Sequence, residues 1–231
     1  IGILFFLRTK VRSWDPHPYQ NEAAAGEGKL GRGLSCDGSD DYVSIYEWGT
    51  GGSGTHDDAK WLVNYVDAGY GISLWFKSDQ SNDGFLFAEW GTQNGVGTEV
   101  YGISLSYVSG TDTLSLYEFV MGEGLGTDNM NLDATISDTT WHHLAVSNDG
   151  TDSYLYLDGE LADSGTSIIS QVTLRVMGRS DGMTIGGAED EECYVFGDCN
   201  WHYVGGSIDE VMIFDRTLSE TEIDQLYAAG T

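Results

Sequence analysis

Short segments of alternating apolar and polar residues, separated by glycine-rich turns, dominate this chain. The stretch SYLYLDGELADSG, residues 153–165, shows the unit, because Asp158 and Gly159 suit the two positive-φ positions of a type I′ turn. Leu155 and Leu157 then share one face of a β-hairpin, and the intervening tyrosines share the other. With 32 glycines and only two prolines, the composition favours many short antiparallel strands.

The alternating segments recur along the whole chain, and each predicts a strand. Helical patterns do not alternate with them, which disfavours a parallel α/β sheet. A chain of 231 residues with 40% apolar residues is large enough for one all-β sandwich. Besides the hairpin, the predicted strands are Ile3–Leu7, Gly33–Cys36, Tyr42–Tyr46, Gly71–Lys77, Phe85–Trp90, Val100–Tyr107, Thr113–Phe119, Thr140–Ser147, Met183–Gly186 and Ser207–Phe214.

At the end of the chain, the spacing of apolar residues changes from that of a strand to that of a helix. In TLSETEIDQLYAAGT, residues 217–231, Ser219 followed by Glu222 is typical of a capping box. Ile223 opens an apolar stripe, and Gly230 is placed to end the helix. We expect one short helix that packs against the sandwich.

The net charge of -27 narrows the choice of partners, because ten basic residues stand against 37 acidic ones. Nucleic acids and anionic membrane surfaces are disfavoured as partners, since both are bound through Lys and Arg. Two explanations of the acidic excess remain open and are compatible. The acids form a solvated surface suited to salty water, or some of them are cation ligands.

The three cysteines fit an extracellular protein. Cys193 and Cys199 bracket the short loop CYVFGDC and can form a disulfide, whereas Cys36 is expected to be a small buried apolar residue. No apolar run approaches the eighteen residues of a membrane span, and we expect no membrane insertion. A remnant of a signal peptide at the start is also not expected.

Several segments occur in the order found in a known family. They are GKLGRGLSCDGSDDYVSI, GISLWFKS, TTWHHLAVSNDGTDSYLYLDGELADSG, MTIGG and GSIDEVMIFDRTLSETEIDQLY. This order resembles the laminin-G-like jelly-roll family of the concanavalin A-like lectin/glucanase superfamily. The resemblance implies a two-sheet antiparallel jelly-roll sandwich with residues 29–231 as its domain, preceded by an N-terminal strand or arm at 1–28. Such a fold does not fix the function.

The resemblance also implies a structural Ca²⁺ in many members, near the meeting of the first and last strands. In this sequence it points to Asp37, Gly38 and Asp209. Carboxylates beside turn carbonyls supply the hard oxygens that Ca²⁺ prefers, and an acid inside an apolar strand, such as Asp209, needs a partner. The alternative is that Asp37 and Asp40 are turn formers whose side chains bond their own backbone.

Catalysis is not expected. Glycosidases need two carboxylates that face one cleft, and no strand carries acids in a Glu-x-Asp-x-Glu arrangement. The acidic run EDEEC at 189–193 lies in a predicted loop. His142 and His143 are adjacent on a predicted strand and point to opposite faces, so they do not support a zinc site.

A long insertion at 186–206 is the candidate ligand-binding segment. It carries Tyr194, Phe196, Trp201 and Tyr203 among five acids. Aromatic rings stack on sugar faces, and carboxylates bind hydroxyls or a bridging Ca²⁺. The alternative is that these rings cover an open end of the sandwich. Residues 122–133, GEGLGTDNMNLD, form a weaker candidate of the same kind, predicted to be an acidic glycine-rich loop.

The apolar start of the chain suggests a second role. Ile3, Leu4, Phe5, Phe6 and Leu7 are apolar on both faces of a strand, and a basic cluster follows. This strand either belongs to the chain's own sheet or completes the sheet of a neighbouring copy. The sequence thus predicts a secreted, calcium-stabilised, non-catalytic module for recognition or adhesion, with a carbohydrate or another surface ligand. The alternative is a self-assembling filament or surface-layer subunit.

Overall fold

The computed structural model describes residues 3–7, 24–44, 69–93, 100–122, 126–169, 177–189 and 200–231. Two β-sheets, antiparallel but for one strand pair, pack face to face, and one short helix follows, which confirms the predicted fold class. The strands are β1 Ile3–Leu7, β2 Ala24–Gly28, β3 Gly31–Asp37, β4 Val43–Ser44, β5 Tyr70–Ser78, β6 Gly84–Gln93, β7 Val100–Val108, β8 Thr113–Gly122, β9 Gly126–Thr135, β10 His142–Asn148, β11 Asp152–Leu157, β12 Glu160–Thr166, β13 Met177–Ile185, β14 Gly187–Glu189, β15 Trp201–Tyr203 and β16 Gly205–Phe214, and the helix is α1 Glu220–Ala229.

The first sheet, which we call sheet 1, has the order β12-β11-β10-β5-β16-β3-β2. The hairpin of β11 and β12 turns at Asp158 and Gly159, whose φ values of 52° and 85° confirm the predicted type I′ turn. In β5 the apolar residues from Tyr70 to Phe76 alternate with Ser73 and Trp75, which face outward. Sheet 1 therefore has an inner face toward the other sheet and an outer face that also carries buried residues.

The second sheet, sheet 2, has the order β14-β15-β6-β7-β8-β9, with β13 paired to β6 and β4 paired to β13. Its pairs are antiparallel except for β15 and β6. The long strands β7 and β8 alternate, so Ile103, Leu105 and Leu116 point into the sandwich, whereas β6 has an irregularity between Phe85 and Phe87. The main core lies between the two sheets and draws residues from most strands of both.

The N-terminal strand β1 belongs to the chain's own sheet. It pairs antiparallel with the second half of β16, with Leu7 opposite Val211 and Ile3 opposite Phe214. The first half of β16 pairs with β3, so β1 extends the line of β3 along the same partner strand. Of the two alternatives for this segment, the intramolecular pairing is the one that the structure contains.

Strand β9 corrects the prediction of a loop at 122–133. Asn129, Asn131 and Asp133 face solvent, while Met130 and Leu132 face the core. The alternation was present in the sequence, but Asn, Asp and Gly have low strand propensity and concealed it. The main-chain N–H of Asp133 donates to the carboxylate of Asp163 on β12 at 3.1 Å, which joins the edges of the two sheets.

Helix α1 begins with the predicted capping box: Ser219 and Glu222 bond each other's backbone N–H. Ile223 is buried with Leu218 and Phe214 on the outer face of sheet 1. Gly230 ends the helix, and its right-handed φ of -101° shows that it is not needed for a left-handed turn. The ring of Trp75 occupies the space that a Cβ atom at position 230 would need. Within the described ranges, no helix is long and apolar enough to cross a lipid bilayer.

Candidate functional site

Three aspartates cluster in the loop between β3 and β4. Carboxylate oxygens of Asp37, Asp40 and Asp41 lie within 4.8 Å of one another. The loop turns at Gly38, which has a φ of 78° and contacts Asn82 of the neighbouring loop. Asp37 and Asp40 are exposed, and Asp41 is half-buried. The structure thus places both predicted metal-site residues of this loop, Asp37 and Gly38, beside further carboxylates.

The backbone holds this loop in place. The N–H of Ser39 donates to Asp37 Oδ1 at 2.8 Å, and the N–H of Asp37 donates to Asp41 Oδ2 at 3.0 Å. Burial raises the pKa of Asp41, and the charges of Asp37 and Asp40 act in the same direction, against the bond from the Asp37 N–H. The local arrangement therefore accumulates negative charge that a hard cation would neutralise.

The thiol of Cys36 lies directly beneath this loop. Burial, followed by the charges of Asp41, Asp37 and Asp79, raises the pKa of Cys36 to about 12. Cys36 is buried and free, as expected of a small apolar core residue. It is therefore neither a thiolate ligand nor a reactive group.

Other acids at the same end of the sandwich hold turns. Asp83 Oδ1 accepts hydrogen bonds from the N–H and the Oγ of Ser109, both at 2.7 Å. Asp112 Oδ1 accepts from Tyr107 Oη at 2.7 Å and from the amide of Gln80. These carboxylates are engaged with donors of neighbouring loops and position them.

Asp209 does not join the loop of Asp37. On β16, Gly205 pairs with Asp37 of β3 and Ile208 pairs with Leu34. Asp209 therefore lies opposite a position of β3 that is four residues before Asp37. At about 3.3 Å per residue, this separation is roughly 13 Å. The Asp209 carboxylate is buried, and it accepts the N–H of Leu30 and the N–H of Glu210, both at 2.9 Å. Its partners are therefore backbone donors of the β2–β3 turn and of the bulge in β16.

Two short paired strands of the insertion, β14 and β15, lie beside the acidic loop, and we call this pair the insertion hairpin. Trp201 and Tyr203 both belong to β15, which pairs with β14. The ring centroids of Tyr203 and Tyr42 are 6.2 Å apart, and Tyr42 follows Asp41 directly. At the base of the hairpin, Gly186 packs against Cys36 and the backbone of Asp41. Tyr194, Phe196, Cys193 and Cys199 lie outside the described residues, and so does the predicted disulfide.

The outer face of sheet 2 carries aromatic residues that the sequence analysis missed. A buried cluster consists of Phe85, Ala88, Tyr117, Phe119 and Ala188. The rings of Phe85 and His202 are in edge contact at 6.4 Å, which connects this cluster to the insertion hairpin. The signal was the alternation of β8, in which Tyr117 and Phe119 flank the inward-facing Glu118.

Two carboxylates of sheet 2 lie in one cross-strand row, with Glu89 on β6, Ile103 on β7 and Glu118 on β8. A search along single strands could not find this pair. Both side chains are fully buried between the sheets, where a polysaccharide does not reach. The hydroxyl of Tyr70 donates to Glu118 Oε1 at 2.9 Å, and burial followed by the charge of Glu118 raises the pKa of Tyr70 far above its usual value. The row is therefore part of the core.

Comparison with known protein families supplies one match. The model described as concanavalin A-like lectin/glucanases superfamily, of laminin G type, matches residues 37–224. A comparison with curated proteins finds no match. The matched range contains the acidic loop, the insertion hairpin and the first half of α1.

Solved structures share the fold at low sequence identity. The binding domain of botulinum neurotoxin DC, in complex with SialylT, has a TM-score of 0.59 at 13% identity over 100% of this chain and 52% of that one. Domain 4 of a GH43 extracellular arabinanase from Geobacillus stearothermophilus, in complex with arabinotriose, has a TM-score of 0.53 at 20% identity over 90% of this chain and 82% of that one. The chain thus spans about half the length of the neurotoxin domain, 52%.

Proposed function

Because this chain belongs to the concanavalin A-like lectin/glucanases superfamily, we propose that it is an extracellular, non-catalytic module that binds carbohydrate. The proposed site lies where the acidic loop of Asp37, Asp40 and Asp41 meets the ring pair of Tyr42 and Tyr203. The observation that carries the proposal is the position of this ring pair next to the carboxylate cluster, since Tyr42 directly follows Asp41 and lies against Tyr203.

The tyrosine rings and the carboxylates of the proposed site suit different parts of a sugar. A sugar ring presents apolar C–H faces to aromatic side chains and hydroxyl edges to carboxylates. Tyr42 and Tyr203 are both partly exposed and can offer a face to a ligand. Arabinotriose in the arabinanase domain supports a carbohydrate as the class of ligand, since that domain shares the fold.

We also propose that Ca²⁺ binds at the acidic loop and stabilises it. Ca²⁺ takes six to eight oxygens, and three carboxylates together with turn carbonyls such as that of Gly38 supply the required type of ligand. Burial and, after it, the charges of Asp37 and Asp40 raise the pKa of Asp41, and a bound cation would relieve the part that comes from these charges. Asp209 is outside the proposed set.

Titration calorimetry with arabinotriose and with a sialylated trisaccharide tests the site. Tyr203→Ala should weaken binding about tenfold, because the ring contributes roughly 1.4 kcal/mol of stacking. Leu161→Ala is the matched control, since Leu161 is 50% exposed on β12 at the edge of sheet 1. Binding that is unaffected by Tyr203→Ala would move the site elsewhere, and turnover of either glycan would refute the non-catalytic assignment.

Thermal unfolding with and without a chelator tests the cation. A calcium-loaded sample should lose several degrees of melting temperature on chelation, and Asp41→Asn should abolish that difference. Asp83→Asn is the control, because Asp83 bonds Ser109 in a neighbouring loop. Identical melting of the loaded and the chelated protein would remove Ca²⁺ from the proposal while leaving the glycan test intact.

A further inference from the structure

A histidine is buried beneath the C-terminal helix on the outer face of sheet 1. His143 on β10 has no exposed surface. Its ring centroid lies 5.2 Å from that of Trp75, its cross-strand neighbour on β5, and 6.1 Å from that of Tyr227 on α1. The rings of Trp75 and Tyr227 also stack on each other at 5.8 Å. Helix α1 therefore closes the environment of this imidazole.

The hydrogen bonds of His143 suit a neutral ring. Nε2 lies 2.9 Å from Ser73 Oγ, and Nδ1 has no hydrogen-bond partner within the described residues. Protonation makes both ring nitrogens donors, so the charged ring would bury an N–H without an acceptor. Burial accordingly lowers the pKa of His143 to about 4, although the charge of Asp158 acts in the opposite direction.

The charged groups around the ring do not compensate its protonation. From the β11–β12 turn, Asp158 Oδ1 accepts the main-chain N–H of His143 and Oδ2 bonds His142 Nδ1, both at 2.8 Å. From the β2–β3 turn, the ammonium of Lys29 lies 4.4 Å from the Trp75 ring centroid and adds positive charge. On β16, Asp209 pairs with Trp75 but bonds the Leu30 and Glu210 N–H groups.

On α1 itself, two acids face this region: Asp224 lies against Gly159 of the β11–β12 turn, and the charge of Glu220 acts on Tyr156. The anchors at the other end of the helix are insensitive to mild acid. Ser147 Oγ donates to the carbonyl of Leu218 at 2.8 Å, and Arg216 pairs with Glu222. The hydrogen bond from Arg216, with those from Ser219, lowers the pKa of Glu222 to about 2, so this pair keeps its charges at pH 4 to 5.

We propose that α1 is an acid-released clamp: on protonation of His143 the helix leaves the outer face of sheet 1 while the core between the two sheets stays folded. The small cluster under α1 is separate from that core, so its opening does not require the sheets to part. Release exposes an apolar surface that α1 covers at neutral pH, formed by Ala145, Tyr156 and Phe214.

The sign and size of the effect follow from linkage. The closed state disfavours the proton, because the pKa of His143 is about 4 when covered and 6.5 ordinarily. Closure is therefore fully stabilised above pH 6.5 and is lost as the pH falls toward 4. The closing equilibrium should weaken about 20-fold between pH 7 and pH 5, and about 100-fold by pH 4.

Hydrogen–deuterium exchange of the full chain between pH 4 and pH 7, corrected for the intrinsic exchange rate, tests the clamp. In the native protein, amides of α1 should lose about 20-fold protection from pH 7 to pH 5, while those of β7 and β8 keep theirs. The Ser73→Ala/His143→Phe double variant removes the titrating ring together with its hydroxyl partner, and its α1 protection should be independent of pH. His142→Gln is the matched control and should behave as the native protein does.

Three results would overturn the proposal. They are pH-independent protection of α1 in the native protein, parallel loss of protection in α1 and in the strands, and an unchanged pH response in the double variant. If the double variant does not fold, the imidazole of His143 is followed by NMR in the native protein. A midpoint between pH 4 and 6.5 that coincides with the loss of α1 contacts supports the clamp. Protonation with the α1 contacts intact, or a midpoint at 6.5 with these contacts still present, refutes it.

Discussion

Replacing Glu118 by leucine should lower the unfolding free energy by about 3–5 kcal/mol, as expected when a buried polar network loses its central member. Glu118 is fully buried on β8 and faces the inner side of sheet 1. Its carboxylate joins the two sheets through hydrogen bonds from four donors: Tyr70 Oη at 2.9 Å, Ser153 Oγ at 2.5 Å, Ser167 Oγ at 2.7 Å and the N–H of Ile168 at 3.2 Å.

The magnitude follows from opposing terms. Each buried donor left without an acceptor costs about 1–3 kcal/mol, so four donors give roughly 4–12 kcal/mol. Leucine avoids the desolvation penalty of a buried carboxylate, which amounts to several kcal/mol. The hydroxyl groups of Ser153 and Ser167 can also rotate toward other acceptors, whereas the N–H of Ile168 cannot. The net loss is therefore at the lower end of that range.

Two further variants separate the donors. Glu118→Gln keeps the shape and one carbonyl oxygen, but its amide group meets the N–H of Ile168 donor to donor, so a loss of about 1–3 kcal/mol is expected. Tyr70→Phe should cost about 1 kcal/mol in the native background and almost nothing beside Glu118→Leu, because the hydroxyl then has no carboxylate to bond. A coupling of about 1 kcal/mol in this cycle identifies the interaction.

Urea unfolding at pH 7 measures these differences. With a slope of about 2–3 kcal/mol per molar urea, a loss of 4 kcal/mol moves the midpoint by roughly 1.5 M. A Glu118→Leu protein as stable as the native one would show that desolvation of the carboxylate outweighs its four hydrogen bonds. The network would then not be a source of stability.

Three other changes test the fold. Asp209→Ala should cost about 3 kcal/mol, since the N–H groups of Leu30 and Glu210 lose their acceptor, and the loss in urea should be the same with and without chelator. Gly230→Ala should lower the melting temperature by roughly 2–10 °C, because a Cβ there overlaps the Trp75 ring, and a rise would contradict this packing. Deleting residues 1–7 should leave a destabilised monomer in light scattering, since β1 pairs with β16 of its own chain. Full-length oligomers that vanish on deletion would instead indicate strand exchange between copies.

The sequence predicted the elements whose signals are local. The capping box of Ser219 and Glu222 lies within four residues, and the Asp158-Gly159 turn determines the hairpin register around it. The clean alternation of β5 and β7 reflects one apolar face, and both strands were expected. Strand β9 was missed because its alternation is carried by residues of low strand propensity, and it is held in the sheet by pairing along its whole length with β8.

The sequence could not predict which distant groups meet. In the sequence, Glu118 is an acid within an apolar strand. Only the pairing of strands brings its carboxylate to donors that are 35 to 50 residues away along the chain. The same holds for Asp209, for which the absence of a visible partner suggested a cation. Its acceptor positions are filled by the N–H of Leu30, which is 179 residues distant in the chain. Partner identity depends on topology, and spacing along one strand does not contain it.

The sequence left two explanations of the acidic excess open, a solvated surface and cation ligands. The structure shows that the carboxylates have further roles. Some carboxylates are buried acceptors, such as Glu118 and Asp209, and others, such as Asp83, order loops by binding hydroxyl and N–H donors. In these places the negative charge is matched by donors, and a cation would have to displace them. In the loop of Asp37 and Asp41 the carboxylates lie close to one another, and each bonds a single N–H of the loop itself. The expectation of Ca²⁺ therefore concentrates on this loop, which adjoins the ring pair of the proposed carbohydrate site.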